Sequence, residues 1–93
     1  MILFSSEALS DMERVREFLH VKNPDAAARA VRAIWAALER VQHFPKIGKP
    51  IGDGRVRQII VRFGRRGYIV RYMIRSNGVI FVTRIWHGLE VRK

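Results

Sequence analysis

Apolar residues recur at three- and four-residue spacing over Leu9, Met12, Val15, Phe18 and Leu19, with Glu7, Asp11, Arg14, Arg16 and Glu17 between them, which predicts an amphipathic helix. Ser5 or Ser6 can cap its start, and Ser10 with Glu13 offers a second capping box one turn later. The pattern ends near His20 to Lys22. Asn23-Pro24 then restarts a helix, because Asn caps well and Pro is preorganised at the first helical position. This second helix runs to about His43 with a stripe of Ala27, Val31, Ile34, Trp35, Leu38 and Val41, while Arg29, Arg32, Glu39 and Arg40 lie off it. So short a connection makes an antiparallel helix hairpin. Residues 2 to 4 read as a short strand before it, and Phe44-Pro45 stops it. A Gly/Pro-rich loop follows, from Lys46 to Gly54, without the spacing of a phosphate loop.

The rest of the chain alternates with period two, predicting strands at roughly 56 to 63, 68 to 75 and 79 to 87. Gly64-Arg65-Arg66-Gly67 and Asn77-Gly78 connect them as tight hairpins. If Asn77-Gly78 form a two-residue type I′ turn, Ser76 opposes Val79, Arg71 opposes Arg84 and Tyr68 opposes His87. Two faces follow from that register. One carries Ile59, Val61, Phe63, Tyr68, Val70, Tyr72, Ile74, Val79, Phe81, Thr83, Ile85 and His87, and should receive the helices. The other carries Gln58, Ile60, Arg62, Ile69, Arg71, Met73, Arg75, Ile80, Val82, Arg84 and Trp86. The expected fold is α+β: a short N-terminal strand, an antiparallel helix hairpin and a three-stranded antiparallel meander, β-α-α-β-β-β, with helices on one face of the sheet.

Composition narrows the picture. The 93 residues make a single domain, 1–93, and 48% hydrophobic content is that of a chain that folds. Without cysteine there is no disulfide and no cysteine metal site, and no histidine pair has metal-ligand spacing, so neither metal nor cofactor is expected. The start, Met-Ile-Leu-Phe-Ser-Ser-Glu, lacks the marks of a signal peptide or membrane span, so a cytoplasmic protein without a membrane partner is expected.

Charge changes the picture most. Lys and Arg number 18 against 8 acids, a formal charge of +10, which calls for an acidic partner. The cations are mostly arginine, which favours forked recognition of carboxylate or phosphate. Like charges directly opposite on a sheet are destabilising, so Arg71 facing Arg84 implies either full solvation or an anion held between them. Arg62 lies diagonal to Arg71 in this register and joins the cluster. Its neighbours are apolar, and the face of Arg62, Arg71, Met73, Arg75, Ile80, Val82, Arg84 and Trp86 suits an amphipathic acidic partner or a nucleic acid. His87, at the end of the last strand, is a candidate acid or base, or else a histidine bonded to Tyr or backbone. His20 and His43 sit at helix C-termini, where they favour the dipole. Glu90 is expected to pair with a nearby Arg.

The order of elements, with Arg57-Gln-Ile-Ile-Val-Arg-Phe-Gly, Tyr68-Ile-Val-Arg-Tyr and Arg84-Ile-Trp-His-Gly, resembles the ParE/RelE superfamily of toxins from type II toxin-antitoxin, or plasmid-stabilisation, modules. The resemblance covers essentially the whole chain. It implies a bacterial toxin neutralised by a cognate antitoxin, ParD-like with an acidic C-terminal segment, in a hetero-oligomer. The RelE-like branch implies a ribosome-dependent mRNA endonuclease, in which Arg71, Arg84 and His87 would be catalytic. The ParE-like branch is the better match, with Phe-Gly-x-x-x-Tyr and an Ile-x-His-Gly ending, and implies inhibition of DNA gyrase by binding. Leu89 stands where that branch often has a basic residue. A small non-toxic RNA-binding module is the third expectation.

Overall fold

The computed structural model describes residues 1–65 and 67–88. The expectations on Arg66, Leu89 and Glu90 lie outside the described residues. Strand β1 (Ile2–Phe4) leads into helices α1 (Ser6–Lys22) and α2 (Pro24–His43). A 3-10 turn over Pro45–Ile47 then precedes β2 (Lys49–Ile51), β3 (Val56–Val61), β4 (Tyr68–Ile74) and β5 (Ile80–His87). The meander is thus the centre of a five-stranded mixed sheet, ordered β1-β5-β4-β3-β2, in which β1 runs parallel to β5. The added edge strand β2 lies in the expected Gly/Pro-rich loop, where Gly54 N–H donates to Ile51 C=O at 2.9 Å to close the turn into β3.

Ser5 resolves the choice of caps: its Oγ accepts from Ala8 N–H at 2.9 Å. One residue joins the helices. Asn23 N–H donates to Leu19 C=O at 2.7 Å, closing α1, while its Oδ1 accepts from Asp25 and Ala26 N–H at 3.0 and 3.2 Å, opening α2. The core lies between the helix pair and one face of the sheet. Ala8, Val15, Ala30, Ile34, Ala37 and Leu38 meet Val61, Tyr68, Val70, Val82 and Ile85 there. The stripes shift accordingly. Leu9 and Phe18, expected inside, are 59% and 56% exposed, and Trp35 is 43% exposed against Phe4. Asp11, expected outside, is 2% exposed.

The last hairpin departs from the I′ expectation. Asn77 does not take the positive φ that turn needs; only Gly78 does, at 84°. Arg75 N–H donates to Val79 C=O and Gly78 N–H to Arg75 C=O, both at 2.9 Å, so the loop has three residues, Ser76 to Gly78. That slip of one moves Ile80 opposite Ile74 and Val82 opposite Tyr72. A β-bulge then restores the register, since Tyr72 pairs with Val82 but Arg71 with Arg84, leaving Thr83 as the extra residue. The expected pairs Arg71–Arg84 and Tyr68–His87 therefore hold, whereas the half of β5 nearer the turn is inverted. Ile80 and Val82 are fully buried core residues and leave the expected binding face; Phe81 takes their place there, opposite Met73.

Candidate binding face around Arg71 and Arg84

The face of the sheet away from the helices carries Ile60, Ile69, Arg71, Met73, Arg75, Phe81, Arg84 and Trp86. Ile60 is 63% exposed, Arg75 is exposed, and the others are half-buried. Arg71 and Arg84 face each other as the sequence implies. Neither waits for an external anion alone. Arg71 donates from Nε to Gln58 Oε1 at 2.9 Å, and its guanidinium lies 4.5 Å from the Trp86 ring centroid. Arg84 lies 5.0 Å from the same ring.

Arg84 also has a carboxylate inside the molecule. Because β1 ends at Phe4, the outer edge of β5 beyond Val82 has no strand partner among the described residues, and the start of α1 covers it. Ser5 N–H donates to Val82 C=O and Ser5 Oγ to Thr83 C=O, both at 2.9 Å. Next along the edge, Ile85 N–H donates to Asp11 Oδ2 at 2.8 Å. Arg84 reaches the same carboxylate through Nε at 2.7 Å and Nη2 at 3.2 Å, and Arg14 Nη1 adds a bond at 3.0 Å. Burial pushes the Asp11 carboxyl up, but the bonds from Arg84, Ile85 N–H and Arg14 and the Arg84 charge outweigh it and hold it below its ordinary range. A buried ionised Asp is tolerated because every lone pair it presents is met.

The sequence missed Asp11 because its apolar neighbours mark another stripe. The available signal was that Asp11 shares a helix face with Ala8 and Val15, at spacings of three and four.

The other sequence-derived residues are dispersed. Arg62 lies beyond the end of β3 and is exposed; Gln58, four residues back, holds the place opposite Arg71, so Arg62 is not part of the pair. Arg75 stacks on Phe81 with its guanidinium 4.1 Å from the ring centroid. His87 sits opposite Tyr68, edge to face at 5.4 Å, and Tyr68 is buried on the helix side. The sheet itself stands between His87 and the two arginines.

A groove of roughly 480 Å³ beside them is lined by Ile51, Val56, Gly52 and Asp53 as well as Arg71, Thr83 and Arg84. The bulge brings Thr83, whose Oγ donates to Arg71 C=O at 3.2 Å, onto this side, a correction of its expected core position. Ile51 and Val56 give this groove an apolar lining, Arg71 and Arg84 bring positive charge to it, and Asp53 a negative one. Among the described residues no three of His, Asp and Glu come together as metal ligands, and no helix is long and apolar enough to cross a membrane.

Comparison with known proteins agrees with this architecture. The profile of the family described as "ParE toxin of type II toxin-antitoxin system, parDE" matches residues 2–92. Toxin RelE1 of Caulobacter vibrioides is 38% identical over 98% of this chain and 96% of its own. Toxin RelE3 of the same organism is 31% identical over 91% of this chain and 90% of its own. Among solved structures, the chromosomal ParDE system from P. aeruginosa superposes with a TM-score of 0.66 at 20% identity, covering 92% of each chain. The intact E. coli RelBE toxin-antitoxin complex gives 0.61 at 18% identity, covering 92% of this chain and 93% of its own.

Proposed function

The chain belongs to the ParE/RelE superfamily of type II toxin-antitoxin toxins, and from that membership we propose that it acts by binding a protein target, DNA gyrase, without cleaving RNA. The observation that carries this is the division of Arg71, Arg84 and His87 between two faces of the sheet. Phosphodiester cleavage needs an acid or base within hydrogen-bond reach of a phosphate that the arginines hold. Here the imidazole lies beside Tyr68 on the helix side, and Arg84 is engaged by Asp11.

The toxin is neutralised in the cytoplasm by a ParD-like antitoxin whose acidic C-terminal segment lies on the open sheet face, forming a hetero-oligomer. Ile60, Ile69, Met73, Phe81 and Trp86 receive its apolar side chains, and Arg71 and Arg75 its carboxylates. The solved structures of similar fold come from a ParDE system and a RelBE complex, which supports an antitoxin as partner.

The names of the RelE relatives favour a second reading, a ribosome-dependent mRNA endonuclease using Arg71, Arg84 and His87. Purified protein added to gyrase separates the two. The first reading expects supercoiling to be inhibited while messages stay intact, with His87→Ala as potent as wild type. Translation-dependent transcript cleavage that disappears in His87→Ala would overturn it. Expression with no effect on growth would instead favour a non-toxic RNA-binding module.

A further inference from the structure

The exposed side of α2 belongs neither to the core nor to the open sheet face. At about 100° per residue, Arg29, Arg32, Ala36, Arg40 and His43 fall within a sector of roughly 80°, which Asp25 of the first turn shares. All five are exposed. The side chains of Arg29, Arg32 and Arg40 have no ion pair or hydrogen bond to any described residue. Several arginines elsewhere are engaged, Arg16 by Glu13, Arg55 by Asp53, Arg57 by the Lys46 and Gly48 carbonyls, and Arg84 by Asp11, whereas Arg62 and Arg65 are exposed like the three of α2 but lie on no common helix face. Asp25 and Glu39 are the acids of this helix, and neither comes within pairing distance of the three arginines.

A partner for this ridge must supply several negative charges in a line and require no apolar anchor, since Ala36 is the one apolar residue in the sector. Peptide recognition depends on buried aromatic or aliphatic anchors, which the ridge does not offer. Unpaired bases need an aromatic platform, and the sector has no Phe, Tyr or Trp; Trp35 lies on the flank against Phe4. Duplex phosphates need only spaced cations on a rigid rod. Arg29 and Arg40 are about 16 Å apart along the axis at 1.5 Å per residue. The major groove is about 12 Å wide, so the two ends reach phosphates on both of its walls. We infer that the Arg29, Arg32 and Arg40 face of α2 docks on the phosphate backbone of duplex DNA, without reading bases. The contact positions the protein and carries no sequence preference.

The test is fluorescence anisotropy of a labelled 20-base-pair duplex with the purified full chain between 50 and 200 mM salt. Each phosphate contact contributes about 0.9 to the slope of log K against log salt, so R29Q/R32Q/R40Q should flatten the slope by about 2.7. The charge-matched triple R16Q/R55Q/R65Q, at scattered exposed positions, should retain nearly the wild-type slope, and circular dichroism checks that both triples fold. An equal loss in the two triples would mean diffuse attraction and overturn the inference. So would an unchanged slope in the α2 triple, or tighter binding of a single-stranded RNA, an RNA duplex or polyglutamate of equal charge than of duplex DNA.

Discussion

Replacing Asp11 by alanine should cost about 3 kcal/mol of folding stability, and the structure says where that comes from. Three donors lose a charged acceptor: Ile85 N–H, the Arg84 fork and Arg14. Ile85 is fully buried, so its N–H is left without a partner at about 1–3 kcal/mol. Breaking a buried ion pair by removing one member ordinarily costs about 3–5 kcal/mol. The lower end applies, because the Arg84 and Arg14 side chains are 40% and 48% exposed and can turn to water. Asp11→Asn should cost less, about 2 kcal/mol, since its remaining oxygen can still accept from Ile85 N–H.

Urea denaturation reads the difference as a lower midpoint at unchanged slope. In a domain of this size it corresponds to a fall in Tm of about 12 °C or more for alanine. A double-mutant cycle with Arg84→Gln should give a coupling of about 1–2 kcal/mol. The sign of the pH dependence follows from the depressed carboxyl. Its contribution is fully present above the unfolded value, near 3.8, and is lost as pH falls from there through the lower folded value. Wild type and Asp11→Asn should therefore converge below pH 4. An Asp11→Ala cost under about 1 kcal/mol, or zero coupling to Arg84, would refute the view that Asp11 holds the β5 edge.

Ile80→Ala should cost about 2–4 kcal/mol in the same assay, and Phe81→Ala less than half as much, because the bulge buries Ile80 and leaves Phe81 on the open face; the reverse order would contradict the register. Tyr72→Phe should cost about 1–3 kcal/mol, since the buried hydroxyl donates to Pro45 C=O at 2.6 Å and accepts from Gly48 N–H at 2.9 Å; hydrogen exchange at Gly48 should accelerate. Burial raises the Tyr72 phenol above its ordinary 10.0, against the opposing Gly48 N–H and Arg57 charge, so stability present below pH 10 should be lost as pH rises through the folded value, seen as delayed phenolate absorbance. Gly48→Ala should cost about 1–3 kcal/mol by overpacking, because its Cβ would stand 2.5 Å from the Tyr72 hydroxyl. Arg71→Glu with Arg75→Glu should weaken an acidic antitoxin peptide at least tenfold in titration calorimetry while leaving the midpoint of unfolding near wild type; unchanged affinity would remove the antitoxin from this face.

Local chemistry made much of the architecture legible. Helix periodicity and the Asn23-Pro24 junction act over a few residues, so the chain states them directly, while the first cap stayed open among Ser5, Ser6 and Ser10 until the fold selected Ser5. The far half of the last hairpin was legible too, although by compensation. The turn holds one more residue than Asn77-Gly78 implies, and Thr83 adds one more on β5, so Arg71 still meets Arg84. Between the two displacements the alternation inverts, which is why Ile80 and Val82 were assigned to the wrong side. A period of two cannot report a bulge, because Phe81 and Ile80 are equally acceptable to either face until the core on one side claims one of them.

What the sequence determined by itself is the first strand, the helix pair and the three-stranded meander, the basic charge and the opposition of two arginines on one sheet, whereas the edge strand β2 emerged only in the folded sheet. What only the tertiary structure decided is how that opposition is relieved. Asp11 stands 73 residues from Arg84, and they meet because β1 ends after three residues and α1 closes the open edge of β5. Hydrogen-bond demand at a strand edge is a property of the assembled sheet. No window of the chain contains it, and it draws a carboxylate inward from what would otherwise read as the polar side of a helix.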